Sequence, residues 1–260
     1  MTTRTTLQQI LDHKVEELAA RRRSHPLRAL TETAGFALPR RDLGAALAAP
    51  GRRIIAEVKR ASPSKGRIRE DFDPVAIASG YAVAGAAAVS VLTDERFFEG
   101  SLAYLESIRA QVDVPLLRKD FLFEPYHVYE ARAAGADGFL LIAATLRAEV
   151  IRELVSLGRE MDMTALVEVH TREQLDRALE GGATLLGINN RDLDTFVTRL
   201  ETGFDLLPHV PEDCTVVIES GLKTPADLAR FEAAGAHVFL IGEAFMVAAD
   251  PGARLREFLP

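Results

Sequence analysis

The sequence predicts an α/β fold, a (β/α)8 barrel of the TIM type with an N-terminal helical extension, and three observations carry that reading. Eight short apolar, β-branched runs recur with starts roughly 21 to 34 residues apart, which leaves room for one helix after each. The gaps hold helical patterns such as PYHVYEARAAGA and TPADLARFEAAGA. A Gly-Ala pair sits between a helical segment and the next strand at Gly85, Gly135, Gly182 and Gly235, at intervals of roughly 50 residues, or about two βα units. Strand–helix alternation implies a parallel sheet covered by helices. Eight units with an internal period favour a closed barrel over an open doubly wound sheet, and no GxGxxG fingerprint follows the first strand.

The runs are IIAEVK (54–59), AVSVLTD (88–94), VPLLRKD (114–120), GFLLIAA (138–144), TALVEVH (164–170), LLGINN (185–190), TVVIESG (215–221) and VFLIGEA (238–244). Each Gly-Ala glycine stands where a helix ends, and glycine there can take positive φ and cap the last carbonyls. Residues 1–50 lie outside the repeat. Leu7, Ile10, Leu11, Val15 and Leu18 recur at helical spacing, which predicts an amphipathic helix. A shorter helix is expected around Pro26 to Thr33, the whole extension packing across the barrel. Residues 1–260 therefore read as one domain, an extension over 1–50 and a barrel over 51–260.

Composition narrows the function. A chain of 260 residues can bury a large core without disulfides or metals. The net charge of −7 disfavours nucleic acid and acidic membranes as partners, so an anionic substrate needs positive charge concentrated at its site. Cys214 is the only cysteine, so no intrachain disulfide forms, and a reducing cytoplasm fits. No apolar run approaches the roughly 20 residues that span a bilayer. The Thr- and Arg-containing N-terminus has no signal-peptide core, and Asp12, Glu16 and Glu17 argue against a transit peptide. Arg21, Arg22 and Arg23 read as a solvated helix end. His127, His170, His209 and His237 are scattered without metal-ligand spacing, so no metal is expected.

In this fold the active site lies at the C-terminal ends of the strands. Those ends carry Glu57 and Lys59 on the first, Lys119 and Asp120 on the third, and Glu168 on the fifth. Asn189 and Asn190 end the sixth, Glu219 and Ser220 the seventh. Side chains alternate along a strand. If Ala56 and Val58 meet the helices, Glu57 and Lys59 point into the mouth. The same parity turns Lys119, Glu168, Asn189 and Glu219 inward. A plain salt-bridge network is the structural alternative, but two lysines and three glutamates converging from five strands are costly to bury unless they serve a site. Ser220-Gly221 after the seventh strand and Gly242-Glu243 after the eighth suggest a phosphate site. Thr224-Pro225-Ala226-Asp227 reads as a capped helix start beside it. Ser62-Pro63-Ser64-Lys65-Gly66 reads as a mobile loop over the mouth.

The stretches AEVKRASPSKG (56–66), SVLTDERFFEGSLAYL (90–105), PLLRKDFLFEPYHVYEARAAGAD (115–137), LVEVH (166–170), GINNRDL (187–193), ESGLKTPADL (219–228) and LIGEAFM (240–246) together resemble the indole-3-glycerol-phosphate synthase family. The resemblance spans nearly the whole chain. It implies a lyase of tryptophan biosynthesis that converts 1-(2-carboxyphenylamino)-1-deoxyribulose 5-phosphate to indole-3-glycerol phosphate, carbon dioxide and water, without a cofactor. On that resemblance Lys119 protonates or polarises the ribulose carbonyl, with Lys59 the second candidate acid. A neighbouring lysine is expected to lower the Lys119 pKa toward neutrality. Glu168 is the base for dehydration and stays free to take a proton, while Glu57 assists or holds Lys59. Asn189 hydrogen-bonds the reacting hydroxyl and Glu219 orients it. Arg191 pairs with the anthranilate carboxylate, and Phe121, Leu140 and Ile142 form the wall for the aromatic ring. Ser220, Gly221, Gly242 and Glu243 hold the phosphate through backbone N–H groups, with Lys59 and Ser62 nearby. A phosphorylated small molecule is the only partner expected, the chain acting as a monomer.

Phosphoribosylanthranilate isomerase would need a cysteine on the first strand, where Glu57 and Lys59 stand instead. A class I aldolase with a Schiff-base lysine and a non-catalytic scaffold remain as rivals, because this barrel hosts many chemistries.

Overall fold

The structure, a computed structural model, describes residues 5–260. Residues 1–4, part of the stretch weighed above as a leader, lie outside the described residues. Eight parallel strands close into a barrel: β1 (Arg53–Val58), β2 (Ala88–Leu92), β3 (Leu116–Lys119), β4 (Gly138–Ile142), β5 (Thr164–Val169), β6 (Leu185–Asn189), β7 (Thr215–Glu219) and β8 (Val238–Ile241). Each pairs with its sequence neighbours, and β1 closes the ring on β8 with Arg53 opposite Val238 and Ala56 opposite Ile241. The predicted runs overshoot these strands at their C-terminal ends by one to three residues. The overshooting residues, Lys59, Asp120 and Gly242 among them, begin the loops of the barrel mouth.

Two apolar layers follow from side-chain alternation. Ile55, Leu117, Leu140, Leu166, Val217 and Leu240 fill the lumen. Ala56, Val58, Val89, Leu141, Val167 and Ile188 face outward and are buried under the helices. The recurring glycines do what their position requires. Gly85 has φ of 100° at the end of the helix Pro74–Ala84, and its N–H donates to the Ala82 carbonyl. Gly135, Gly182 and Gly235 share the left-handed backbone.

The extension departs from its sequence reading in detail. The helix Thr6–Ser24 starts at an N-cap on Thr5 and buries Leu7, Ile10, Lys14 and Leu18. Val15 is 58% exposed. The buried stripe therefore passes through a lysine, and Val15 lies about 100° round the helix from it. Arg21 is not a solvated helix end. It pairs with Glu17 at 2.9 Å, Glu130 at 3.1 Å and Glu95 at 3.2 Å. The shorter helix is Leu27–Thr31, and Ala34–Ala37 and Leu43–Ala48 follow it. Leu43 and Leu47 join the lumen layer at the N-terminal end of the barrel, where the missing side chain of Gly138 leaves room for Leu43. Among the described residues no helix is long and apolar enough to cross a membrane.

Leu43 is fully buried. Leu43→Ala is expected to cost about 2–5 kcal/mol. Urea unfolding should show a lower midpoint with an unchanged slope.

Candidate active site

One cavity of about 1110 Å³ opens at the C-terminal ends of the strands. All fifteen residues singled out from the sequence line it, contributed by β1 and β3 to β8 and the loops that follow them. Its lining holds six cationic and six carboxylate side chains, in a chain whose overall charge is −7. The mouth is thus far less negative than the protein around it.

At its centre Lys119 Nζ lies 2.8 Å from Glu168 Oε2 and 3.1 Å from Glu219 Oε2. Lys59 Nζ lies 2.5 Å from Glu57 Oε1. The sequence reading expected a neighbouring lysine to depress Lys119, and the geometry does the reverse. Burial alone would lower the Lys119 ammonium, but Glu168, Glu219 and Glu57 together hold it well above its ordinary value. Burial raises the Glu57 carboxyl, and Lys59 and Lys119 outweigh that and keep it below the ordinary range. Glu219 goes the other way. Burial pushes it up to about 7, opposed by Lys119 and reinforced by Glu168 and Glu57. Its Oε1 is buried with no hydrogen-bond partner among the described residues. Gly187 makes this possible, because a side chain there would overlap the Glu219 carboxyl.

Glu168 is not free in this state. Its Oε1 accepts from Asn189 Nδ2 at 2.8 Å while Oε2 holds Lys119. Asn189 Oδ1 in turn accepts from the Arg191 backbone N–H at 2.9 Å. The amide that was expected to meet a substrate hydroxyl is thus spanned between the base and the loop after β6.

The opposite corner is built by the loops after β1, β6, β7 and β8. Ser220 and Gly221 are consecutive left-handed residues, φ 64° and 79°. Such strain at a non-glycine residue needs strong support from its surroundings. The helix Pro225–Ala233 begins with a capping box between Thr224 and Asp227. Asp227 Oδ2 accepts from the N–H groups of Lys223 and Thr224, so part of that turn is satisfied by its own sequence. Gly242 has φ of −124°, and a side chain there would overlap the Glu57 carboxylate. Its missing side chain makes room for Glu57, a different reason from the ligand approach expected. Ser62 Oγ is buried and has no hydrogen-bond partner among the described residues. Ala61–Ser62 pairs with Gly66–Arg67 as a short antiparallel ladder over the cavity. Glu243 lies 3.5 Å from Lys65 and 3.4 Å from Arg191. Those two cations hold its carboxyl below the ordinary range against the upward push of burial. Leu140 and Ile142 form an apolar side together with Phe121, whose ring lies 6.0 Å from that of Phe98.

Behind the mouth lies a layer that sequence reasoning missed. Arg118, Asp120, Asp94 and Glu130 are buried and joined to Lys14 and Arg21 of the first helix. Asp120 was in view as a strand-end residue, but not its partners; the available signal was parity, since Arg118 flanks Lys119 and so points to the helices, while Asp120 at the cavity edge links the two layers.

Comparison with known proteins places the chain in a family. A family model described as indole-3-glycerol phosphate synthase matches residues 7–258. Proteins of that name from Burkholderia multivorans and Chromobacterium violaceum are each 49% identical over 253 residues. The match covers 96% of this chain in both, and 97% and 96% of theirs. A 3-hexulose-6-phosphate synthase structure from Salmonella typhimurium superposes with a TM-score of 0.64 at 12% identity, covering 79% of this chain and 96% of that one. A mandelate oxidase structure gives 0.61 at 21% identity over 80% and 71%. The two structures share the fold alone.

With Glu219 raised to about 7, it is neutral below that pH and adds a negative charge beside Lys119 above it. Difference infrared spectroscopy of the free protein should show a protonated carboxyl band lost as pH rises through about 7 and absent from Glu219→Gln. A band that survives in Glu219→Gln assigns the proton elsewhere.

Proposed function

Because the chain belongs to the indole-3-glycerol phosphate synthase family, we propose that its barrel mouth performs that ring closure with Lys119 as the acid and Glu168 as the base. The activity is that of a carboxy-lyase of tryptophan biosynthesis, acting on 1-(2-carboxyphenylamino)-1-deoxyribulose 5-phosphate. One observation carries the assignment of roles: a buried ammonium held charged between two carboxylates at the centre of the cavity. The aromatic carbon that bears the carboxylate bonds to the ribulose carbonyl carbon, and Lys119 gives its proton to the carbonyl oxygen. Carbon dioxide then leaves, and its bonding pair returns to the ring. In the last step the new hydroxyl departs as water with a proton from Lys59, while Glu168 takes the proton that the five-membered ring loses. Glu57 holds Lys59 in place, Asn189 orients Glu168, and Glu219 pairs with Lys119 from the far side.

The substrate brings a carboxylate and a phosphate. Arg191 serves the carboxylate through its planar fork, exchanging Glu243 for the ligand. Ser220, Gly221, Gly242 and Glu243 offer backbone N–H groups to the phosphate, with Lys59 and the unpartnered Ser62 hydroxyl beside them. Phe121, Leu140 and Ile142 take the aromatic ring. The extension belongs to the same domain as the barrel, supported by Leu43 and Leu47 in its floor. We read the chain as a cytoplasmic monomer. Its exposed large apolar side chains, such as Val83 and Val247, stand singly on different segments.

A Schiff-base aldolase would need a neutral lysine, and the charge held on Lys119 opposes that. Lys119→Ala is expected to lower kcat by on the order of 10² to 10⁴ with folding intact, followed by indole fluorescence. Borohydride with substrate should trap no adduct. Retention of more than about a tenth of the rate moves the acid role to Lys59.

Gly242→Ala separates two functions of one residue. It is expected to displace Glu57 and lower kcat on the order of tenfold or more, since small misplacements at a reacting centre are costly. A change confined to KM would return Gly242 to phosphate contact alone.

A further inference from the structure

We propose that Lys14, on the N-terminal helix, is a positioning residue for this reaction, acting through Asp120 on the segment that carries Lys119 and Phe121. The inference rests on Lys119 as the acid. Lys14 is 2% exposed, and its Nζ meets three carboxylates: Asp120 at 2.8 Å, Glu17 at 3.1 Å and Asp94 at 3.2 Å. One ammonium thus carries three ion pairs, while Asp94 Oδ2 has no hydrogen-bond partner among the described residues and meets Lys14 through charge alone.

Two of those carboxylates belong to the walls of the active site. Asp120 directly follows Lys119. Its Oδ1, besides Lys14, accepts from the Phe121 backbone N–H at 2.8 Å. Its Oδ2 accepts from Thr93 Oγ1 at 2.7 Å and Arg118 Nη2 at 3.1 Å. The carboxylate thus fixes the turn at which the chain leaves β3. Asp94 follows β2 and caps the short helix Glu95–Phe98 by accepting from the Phe97 N–H at 2.7 Å. Phe98, in that helix, lines the cavity beside Phe121. One amine from outside the barrel therefore ties together the two loops that carry the acid and its aromatic neighbours.

A stabilising staple alone does not need this placement. Removing the amine leaves Asp94 and Asp120 as like charges in a buried space, and burial disfavours both. The loops after β2 and β3 then separate, and Lys119 shifts against Glu168 and Glu219, which now sit within about 3 Å of it. Misplacement of the order of an ångström is costly at a reacting centre. Substrate contacts at the phosphate corner lie on other loops and stay as they are.

The experiment is a double-mutant cycle with Lys14→Met, Asp120→Asn and the pair, assayed by indole fluorescence at a temperature where circular dichroism shows each variant folded. Each single change is expected to lower kcat on the order of tenfold or more, with KM within about threefold. The pair should be no worse than Lys14→Met alone, because both act through one contact. A folded Lys14→Met with kcat within about twofold of the parent overturns the proposal, as do losses that multiply in the pair. If Lys14→Met does not fold, Lys14→Gln is measured in its place. Failure of both to fold also overturns it, since Lys14 is then a scaffold residue only. The Lys119→Ala measurement tests the acid assignment separately.

Discussion

A closed parallel barrel admits no compromise about which way a side chain points. Each strand residue faces either a lumen too narrow for water or a layer roofed by helices. Charges on the inner parity are tolerable only at the last turn of the lumen, where the loops let solvent and ligand in. Ile55, Leu117, Leu166 and Val217 fill the lower lumen, and two residues further along the same four strands stand Glu57, Lys119, Glu168 and Glu219. The site is the place where the apolar filling of the barrel stops.

Once there, the charges hold one another. Lys119 cannot stay buried without Glu168 and Glu219, and two carboxylates beside one ammonium leave one of them short of a partner, which fits the raised Glu219. Space has to be cleared for these groups as well. Gly187 and Gly242 do that, since a side chain at either would occupy the position of a carboxyl group. The glycines and the acids form one design, although they lie on different strands.

Much of this was legible in the sequence because alternation is a property of consecutive residues. The strand positions, the capping glycines and the inward set followed from periods of two and of one βα unit. Pairing was not legible in the same way. Nothing in the spacing of Glu168 and Asn189 says that one would accept from the other, or that Lys119 would be raised and not lowered. Those facts depend on the stagger between neighbouring strands, as for Glu168 and Asn189, and on which other strands bring acids to Lys119. The first helix shows the same limit. Hydrophobicity alone prefers Val15 to Lys14 for a buried face, and only the three acids that meet Lys14 reverse the preference. Gly242 shows the limit as well: a glycine before a helix suggests a ligand, and the sequence does not say that its missing side chain also makes room for Glu57 from β1.

The clamp between the first helix and the barrel also orders events during synthesis. Lys14 leaves the ribosome before the acids it meets, and Asp94 and Asp120 follow roughly 80 and 106 residues later. Until they arrive, the helix has an apolar stripe with a charge in its middle and nothing to dock on. Closing so long a loop costs entropy that grows only slowly with its length, so the delay is set by translation more than by the search. The helix is therefore placed only after the strands that receive it are made, and a nascent chain that ends at β2 carries it as an unattached amphipathic arm.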